Sequence, residues 1–179
     1  MMDWLAVSAA IGCKPALALA WSAPLERSML RYEINTKRRE AAFLAQIAHE
    51  SMRLSRTREL WGPTPAQLRY EGRKDLGNVV PGDGFRFLGR GLIQTTGRGN
   101  YRRCSLALFG DERLLDQPEL LEQKTWAAQS AGWFWRDEKN LNELADAGMF
   151  KTITRRINGG LNGYEERLAL YESIWRVLA

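Results

Sequence analysis

Histidine is nearly absent from this chain: His49 stands alone among 179 residues. That excludes an HExxH metalloprotease arrangement at His49-Glu50, which needs a second imidazole one helical turn away. It also leaves no Cys/His cluster from which a structural zinc site could be built. Cysteine is almost as scarce. Cys13 and Cys104 lie far apart, outside any CxxC spacing, so two free thiols are expected rather than a disulfide. A Ser-His-Asp or Cys-His nucleophile would have to use the same His49, and no GxSxG elbow is present. Long uninterrupted apolar runs are missing as well. Residues 4–24, WLAVSAAIGCKPALALAWSAP, come nearest, with Ala18-Leu19-Ala20 mimicking a signal-peptidase site. However, Lys14-Pro15 breaks the run in the middle and Met1-Met2-Asp3 offers no basic leader. Two short core helices parted at Pro15 are the expectation, with no convincing signal peptide.

What is present is globular in character: 45% hydrophobic residues, seven Trp and 26% charged residues. That composition is enough to bury a real core in a single domain spanning residues 1–179. The formal net charge is +5, which suits an anionic partner such as nucleic acid, lipopolysaccharide or a cell-wall polymer, although solubility alone accounts for it equally well.

Periodicity is helical nearly throughout. Helical patterns cover 3–11, 15–31 and 37–52, the last introduced by Asn35-Thr36. Residues 53–62 are irregular. Thr64-Pro65-Ala66-Gln67 reads as a helix start, with Thr64 as N-cap, Pro65 at the first helical position and Gln67 closing a capping box. Glycine then recurs from Gly72 to Gly99, and FRFLGRGLIQTT (85–96) alternates enough for a small β element within 72–100. Helices resume at 101–109, 117–137, 140–147 and 149–157. Asn158–Gly163 is a glycine turn, and Tyr164–Leu178 closes the chain as an amphipathic helix. The fold class expected is mainly α: a two-lobed helical domain with a small β or irregular element around 72–100.

Three clusters carry chemistry. The first is Ala41–Glu59, where an apolar helix runs into His49-Glu50 and a second carboxylate, Glu59, follows beyond a basic segment. Glycoside hydrolysis needs two such carboxyl groups flanking a sugar, one protonated donor and one ionised base. An apolar helix face behind Glu50 favours the neutral carboxyl of a general acid. Arg53, Arg56 and Arg58 near Glu59 favour the ionised form of a base. Surface salt bridges would explain both residues equally well. The second cluster, Gly89–Tyr101, sets Gln94, Thr96 and Asn100 among glycines. It matches neither GxxxxGK[ST] nor GxGxxG, so a phosphate cradle is a poor fit. The third is Arg155-Arg156-Ile157-Asn158-Gly159-Gly160 with Arg167 beyond it, which also reads as a glycine-capped helix end. Trp133-Phe134-Trp135 reads as core, and Trp61 as the better sugar-stacking candidate.

Taken together, AFLAQIAHES, Glu59, GDGFRFLGRGLIQTTGRGNY, AAQSAGWFW and ITRRINGGLNGYEERL resemble glycoside hydrolase family 19, and the compact bacteriophage endolysins more than the plant chitinases. The resemblance covers about Phe43 to Tyr171, in order. It implies a lysozyme-like, α-helical, metal-free fold without a cofactor, cleaving β-1,4 links between N-acetylated amino sugars with inversion. It assigns Glu50 as general acid, Glu59 as general base and Thr96 as the hydroxyl that helps hold the attacking water. Gln94, Asn100 and Asn158 match substrate-contacting positions, and Arg167 matches a basic residue near the acid. His49, beside the acid, and Trp61 complete the expected substrate-binding set.

The segment Glu59-Leu60-Trp61-Gly62-Pro63 departs from the Glu-Asn-Leu-Asn-Tyr of many family endolysins, which keeps Glu71 in view as a rival base, with Asp75 nearby. The partners implied are peptidoglycan glycan strands and the anionic envelope, with the enzyme acting as a monomer. It would be held in the host cytoplasm until released onto the periplasmic wall. A chitinase is the near alternative. A basic helical nucleic-acid-binding protein is the distant one, and the scattered arginines speak against it.

Overall fold

The computed structural model describes residues 2–178. Eleven α-helices occur among these residues: α1 Trp4–Ile11, α2 Pro15–Arg31, α3 Lys37–Glu50, α4 Pro65–Leu68, α5 Asp83–Arg86, α6 Arg98–Phe109, α7 Arg113–Asp116, α8 Lys124–Trp133, α9 Leu141–Asp146, α10 Phe150–Asn158 and α11 Tyr164–Val177.

Helix α3 is the axis of the molecule. Thr36 caps it, its hydroxyl accepting from Arg39 N, and every residue from Ala41 to Ala48 is buried. A helix enclosed on all sides belongs in a core, where small residues let neighbours approach closely. Helices α9 and α11 pack against α3, and α1 touches both α2 and α11. Phe43 meets Trp135 edge-to-face at 5.4 Å between ring centroids, inside a cluster reaching from Trp4 to Leu178. The break at Pro15 is real: Gly12 ends α1 in the left-handed region, and Pro15 opens α2 at its first turn. Trp4, Val7, Ile11, Trp21 and Leu25 of these helices are buried core residues. Among the described residues no single helix is long and apolar enough to cross a membrane, while α1 and α2 pass that test only as a pair bent by 118°.

Two sequence expectations are corrected. The β element shrinks to isolated bridges, Arg58 with Arg90 and Arg90 with Thr95. Positive φ at Gly82 (91°), Gly91 (79°), Gln94 (56°) and Gly97 (91°) bends the backbone before alternation can extend into strands, and Phe85-Arg86 is taken up by α5. The helix read over 117–137 divides into a 3-10 segment Pro118–Glu122, α8, and a π-turn Phe134–Glu138.

The first turn after α3 sets up the cleft. Met52, Arg53 and Leu54 all have positive φ (49°, 59° and 65°), a conformation costing non-glycine residues roughly 1–2 kcal/mol each. Several contacts hold it in place. Ser51 Oγ accepts from Leu54 N, Trp21 Nε1 donates to Leu54 O, and the Arg53 guanidinium donates to Ile11 O at the end of α1. The chain therefore leaves α3 at a fixed angle, with residues 53–97 forming an irregular lobe opposite the helical body.

Candidate active site

A cleft of about 340 Å³ separates the two parts. Glu50, Ile157 and Asn158 line it from the helical body, and Tyr70, Arg73 and Leu76 from the irregular lobe; Gln94 and Thr96 lie in its floor. A groove of about 220 Å³ continues it past Asn100 to Trp133, Phe134 and Lys139, sharing Leu76, Ile93, Gln94, Thr96 and Ile157. Trp133 and Trp135 are buried as expected for core, yet Trp133 and Phe134 also wall this groove.

Glu50 ends α3 half-buried at the cleft. Its surroundings are not the simply apolar ones inferred from the helix pattern. Arg167, 2% exposed on α11, donates from Nη2 to Glu50 Oε1 at 2.5 Å and from Nη1 to Gln46 Oε1 at 2.5 Å. The family resemblance puts Arg167 near the acid, whereas the amphipathic pattern of α11 alone gives no reason to turn an arginine inward.

Glu59 is also held differently than expected. Arg53 turns back to α1, and Arg58 lies 3.9 Å from Glu122, so neither surrounds the carboxylate. Neutral donors hold it instead: Gly89 N to Oε2 at 2.9 Å, Gln67 Nε2 to Oε1 at 2.9 Å and Tyr70 Oη to Oε1 at 3.3 Å. Burial first, then the Glu59 charge and its hydrogen bond, raise the Tyr70 pKa, so the phenol remains a donor. Gln67 was legible only as the closing residue of a capping box, which it does form with Thr64. Its side chain also donates to Leu60 O at 2.6 Å and accepts from Thr64 N at 2.8 Å, fixing the loop that presents the base.

Gly89 brings the remaining polar groups together. A Cβ placed there would meet Gln94 Oε1 at 2.8 Å and both Glu59 Oε2 and Thr96 Oγ1 at 3.3 Å. Three oxygens from two segments thus converge on the space left by a missing side chain. Thr96 Oγ1 donates to Gln94 O at 2.9 Å, and Gln94 Nε2 donates to Gly91 O at 2.9 Å, which fixes both orientations.

Neither Glu59 nor Glu71 lines the cleft itself, but Glu59 shares the Gly89 space with Thr96, whereas Glu71, the rival, accepts from Gly82 N at 2.7 Å and Gly84 N at 2.8 Å. Both its oxygens serve to pin the start of α5. Asp75 pairs with Arg73 on the surface. Asn158 lines the cleft while donating to Asn162 O, and Asn100 lines the groove while donating to Thr96 O.

Two expected substrate contacts are placed elsewhere. The His49 ring packs under Gly163, where a Cβ would come within 2.4 Å of it, and Nδ1 lies 3.0 Å from Glu166 Oε2 without hydrogen-bond alignment. The i-to-i+1 step on a helix turns it away from the face that carries Glu50. Trp61 packs edge-on to Phe85 at 5.2 Å and near Tyr70 at 6.4 Å, so it reaches the cleft through Tyr70 rather than lining it. Among the described residues no group of His, Cys, Asp and Glu could hold a metal ion. Cys13 and Cys104 are free, the latter buried with its thiol pKa pushed up by desolvation.

Comparison with known proteins supplies the family. No family model matches the chain. A glycosyl hydrolase family 19 domain-containing protein of Haemophilus influenzae is 32% identical over 165 residues, covering 77% of this chain and 79% of the relative. An endochitinase of Arabidopsis thaliana is 37% identical over 125 residues, covering 69% of this chain but 40% of the relative. Among solved structures, chitinase C from Streptomyces griseus superimposes with a TM-score of 0.71 at 24% identity, over 87% of this chain and 68% of that one. A bacterial family 19 chitinase gives a TM-score of 0.71 at 22% identity, over 88% and 85%. These two likenesses show a shared fold. With the Haemophilus relative matched along most of both chains, the protein belongs to glycosyl hydrolase family 19, glycosidases that hydrolyse β-1,4 glycosidic bonds.

Proposed function

We propose that this protein is an endolysin that cleaves the β-1,4 glycan strands of peptidoglycan with inversion of configuration. The observation that carries the mechanism is the convergence of Glu59, Thr96 and Gln94 around Gly89, with Thr96 and Gln94 also lining the cleft whose helical wall presents Glu50. Glu50 donates its proton to the glycosidic oxygen as the C–O bond breaks, and Arg167 stabilises the carboxylate left behind. A water seated between Thr96 and Glu59 attacks the anomeric carbon from the opposite face and gives its proton to Glu59. The product is a hemiacetal of inverted configuration, and proton exchange with solvent returns both carboxyl groups to their starting states. Inversion requires the two carboxyl groups to stand about 6.5–9.5 Å apart.

Peptidoglycan is favoured by the endolysin-like motif set, by the short open cleft, and by a net charge of +5 that draws the enzyme to an anionic envelope. The protein would accumulate in the host cytoplasm as a monomer and reach the wall through a separate membrane-permeabilising protein. A second reading, chitin, is favoured by the names of the plant and Streptomyces relatives, which are chitinases. Mass spectrometry of digests decides between them. Muropeptides from purified sacculi support the endolysin, with reducing N-acetylmuramic acid ends marking a muramidase. Cleavage of chitin oligomers with intact sacculi would replace the proposal with the chitinase.

A further inference from the structure

Gln46 lies one helical turn before Glu50 and is 0% exposed, within the fully buried run Ala41–Ala48. A buried amide is costly unless its hydrogen bonds are satisfied, and a leucine would fill the same space without that demand. Its two ends are both occupied. Oε1 accepts from Arg167 Nη1 at 2.5 Å, and Nε2 donates to the hydroxyl of Thr154 at 2.9 Å. Thr154, also 0% exposed, donates in turn to Phe150 O at 3.3 Å in the first turn of α10. The chain therefore runs from Glu50 through Arg167, Gln46 and Thr154 to a backbone carbonyl, joining α3, α11 and α10. From Arg167 inward each donor points the same way, away from the guanidinium, an arrangement in which successive bonds polarise one another.

The third nitrogen of the Arg167 guanidinium makes no such bond. Nε is buried without a hydrogen-bond partner among the described residues. The guanidinium is thus anchored by two acceptors, Gln46 and the catalytic carboxyl itself. Without Gln46, Glu50 would be its one acceptor among the described residues.

We infer that Gln46, backed by Thr154, is a positioning residue for the general acid. By fixing Arg167 it ties down Oε1 of Glu50 and leaves Oε2 as the oxygen that delivers the proton. This rests on Glu50 being the acid. Small displacements of a reacting group cost up to about a hundredfold in rate. Gln46→Met, nearly isosteric and without hydrogen-bonding groups, should lower kcat by about tenfold to a hundredfold with KM held within about twofold. Thr154→Val should lower kcat less, and Thr154→Ser, which keeps the hydroxyl, should restore most of that loss.

The test measures steady-state hydrolysis of purified sacculi and, in parallel, chitohexaose, with circular dichroism and melting curves confirming folded variants. Glu50→Gln is assayed alone and combined with Gln46→Met. If the relay acts through Glu50, the second substitution adds nothing to the residual rate of the first. Equal kcat for wild type and Gln46→Met would overturn the relay, as would a Gln46→Met penalty that persists undiminished in the Glu50→Gln background. Should Gln46→Met fail to fold, the Thr154 pair carries the same decision: equal kcat for the valine and serine variants overturns the relay. Full activity of Glu50→Gln would instead remove the acid assignment itself, so the two failures are distinguishable.

Discussion

The acid side and the base side of the cleft are built by opposite means. Glu50 extends from a regular, enclosed helix and is paired with a buried guanidinium. Glu59 sits in irregular chain and is held by a backbone amide, a glutamine and a phenol, with no cation among these donors. A glutamine organises each side. Gln46 orients the partner of the acid within the core, while Gln67 orients the base and its loop from a short surface helix. The contrast suits the chemistry. A leaving-group proton must be released beside a group that stabilises the resulting carboxylate. A base benefits from neutral donors that fix it without neutralising it.

The most damaging ways to break this arrangement remove a carboxyl group. Glu50→Gln should lower turnover by at least about 10³-fold with the melting temperature little changed, and retained clearing of exposed cell walls would refute its role. Glu59→Gln should fall nearly as far, whereas Glu71→Gln should affect stability of the α5 region more than rate; the reverse order would make Glu71 the base. Next comes Gly89→Ala. The new methyl group would meet the tip of the Gln94 side chain and crowd Glu59 and Thr96. A folded protein with turnover reduced by about a hundredfold is the expected outcome, and unimpaired turnover would show that no water is needed there.

A smaller effect concerns the frame of the irregular lobe. Asp83, 1% exposed, pairs with Arg98 and accepts from Val79 N and Val80 N. The Arg98 hydrogen bonds lower its pKa below the usual carboxylate value. A carboxylate whose folded pKa is depressed contributes stability fully present above its unfolded pKa of about 3.9 and lost as pH falls through the folded value. Asp83→Asn should therefore cost about 3 kcal/mol at neutral pH, with the gap to wild type closing below about pH 4 in melting curves. A gap independent of pH would mean that packing, not the ion pair, sets the cost. Weakest is the response to salt. Clearing of whole envelopes should slow as ionic strength rises, while hydrolysis of short soluble oligomers should not.

The same contrast explains what the sequence could reveal. Helix α3 is legible because seven apolar or small positions, Ala41–Ala48 apart from Gln46, announce a core helix, and the His49-Glu50 step marks where it meets solvent. The break at Pro15 and the capping box at Thr64 were legible because each obeys a local rule. The β element was overestimated because alternation across 85–96 says nothing of the positive φ at Gly91 and Gln94. The inward turn of Arg167 and the amide cage around Glu59 depend on residues brought together over long sequence separations. Local spacing carries no trace of them. The glycine-rich setting singles out Thr96 along with Gln94 and Asn100, the family resemblance selects it among them, and Gly89 shows why that hydroxyl lies where it can matter.

The central claim, that a proton from Glu50 and a water held by Glu59 and Thr96 act from opposite faces of the sugar, is tested most directly by the anomeric form of the first product. Proton NMR of a β-1,4-linked oligomer in the first minutes of digestion should show the α-anomer forming ahead of mutarotation. Initial accumulation of the β-anomer would mean retention, and would contradict the account.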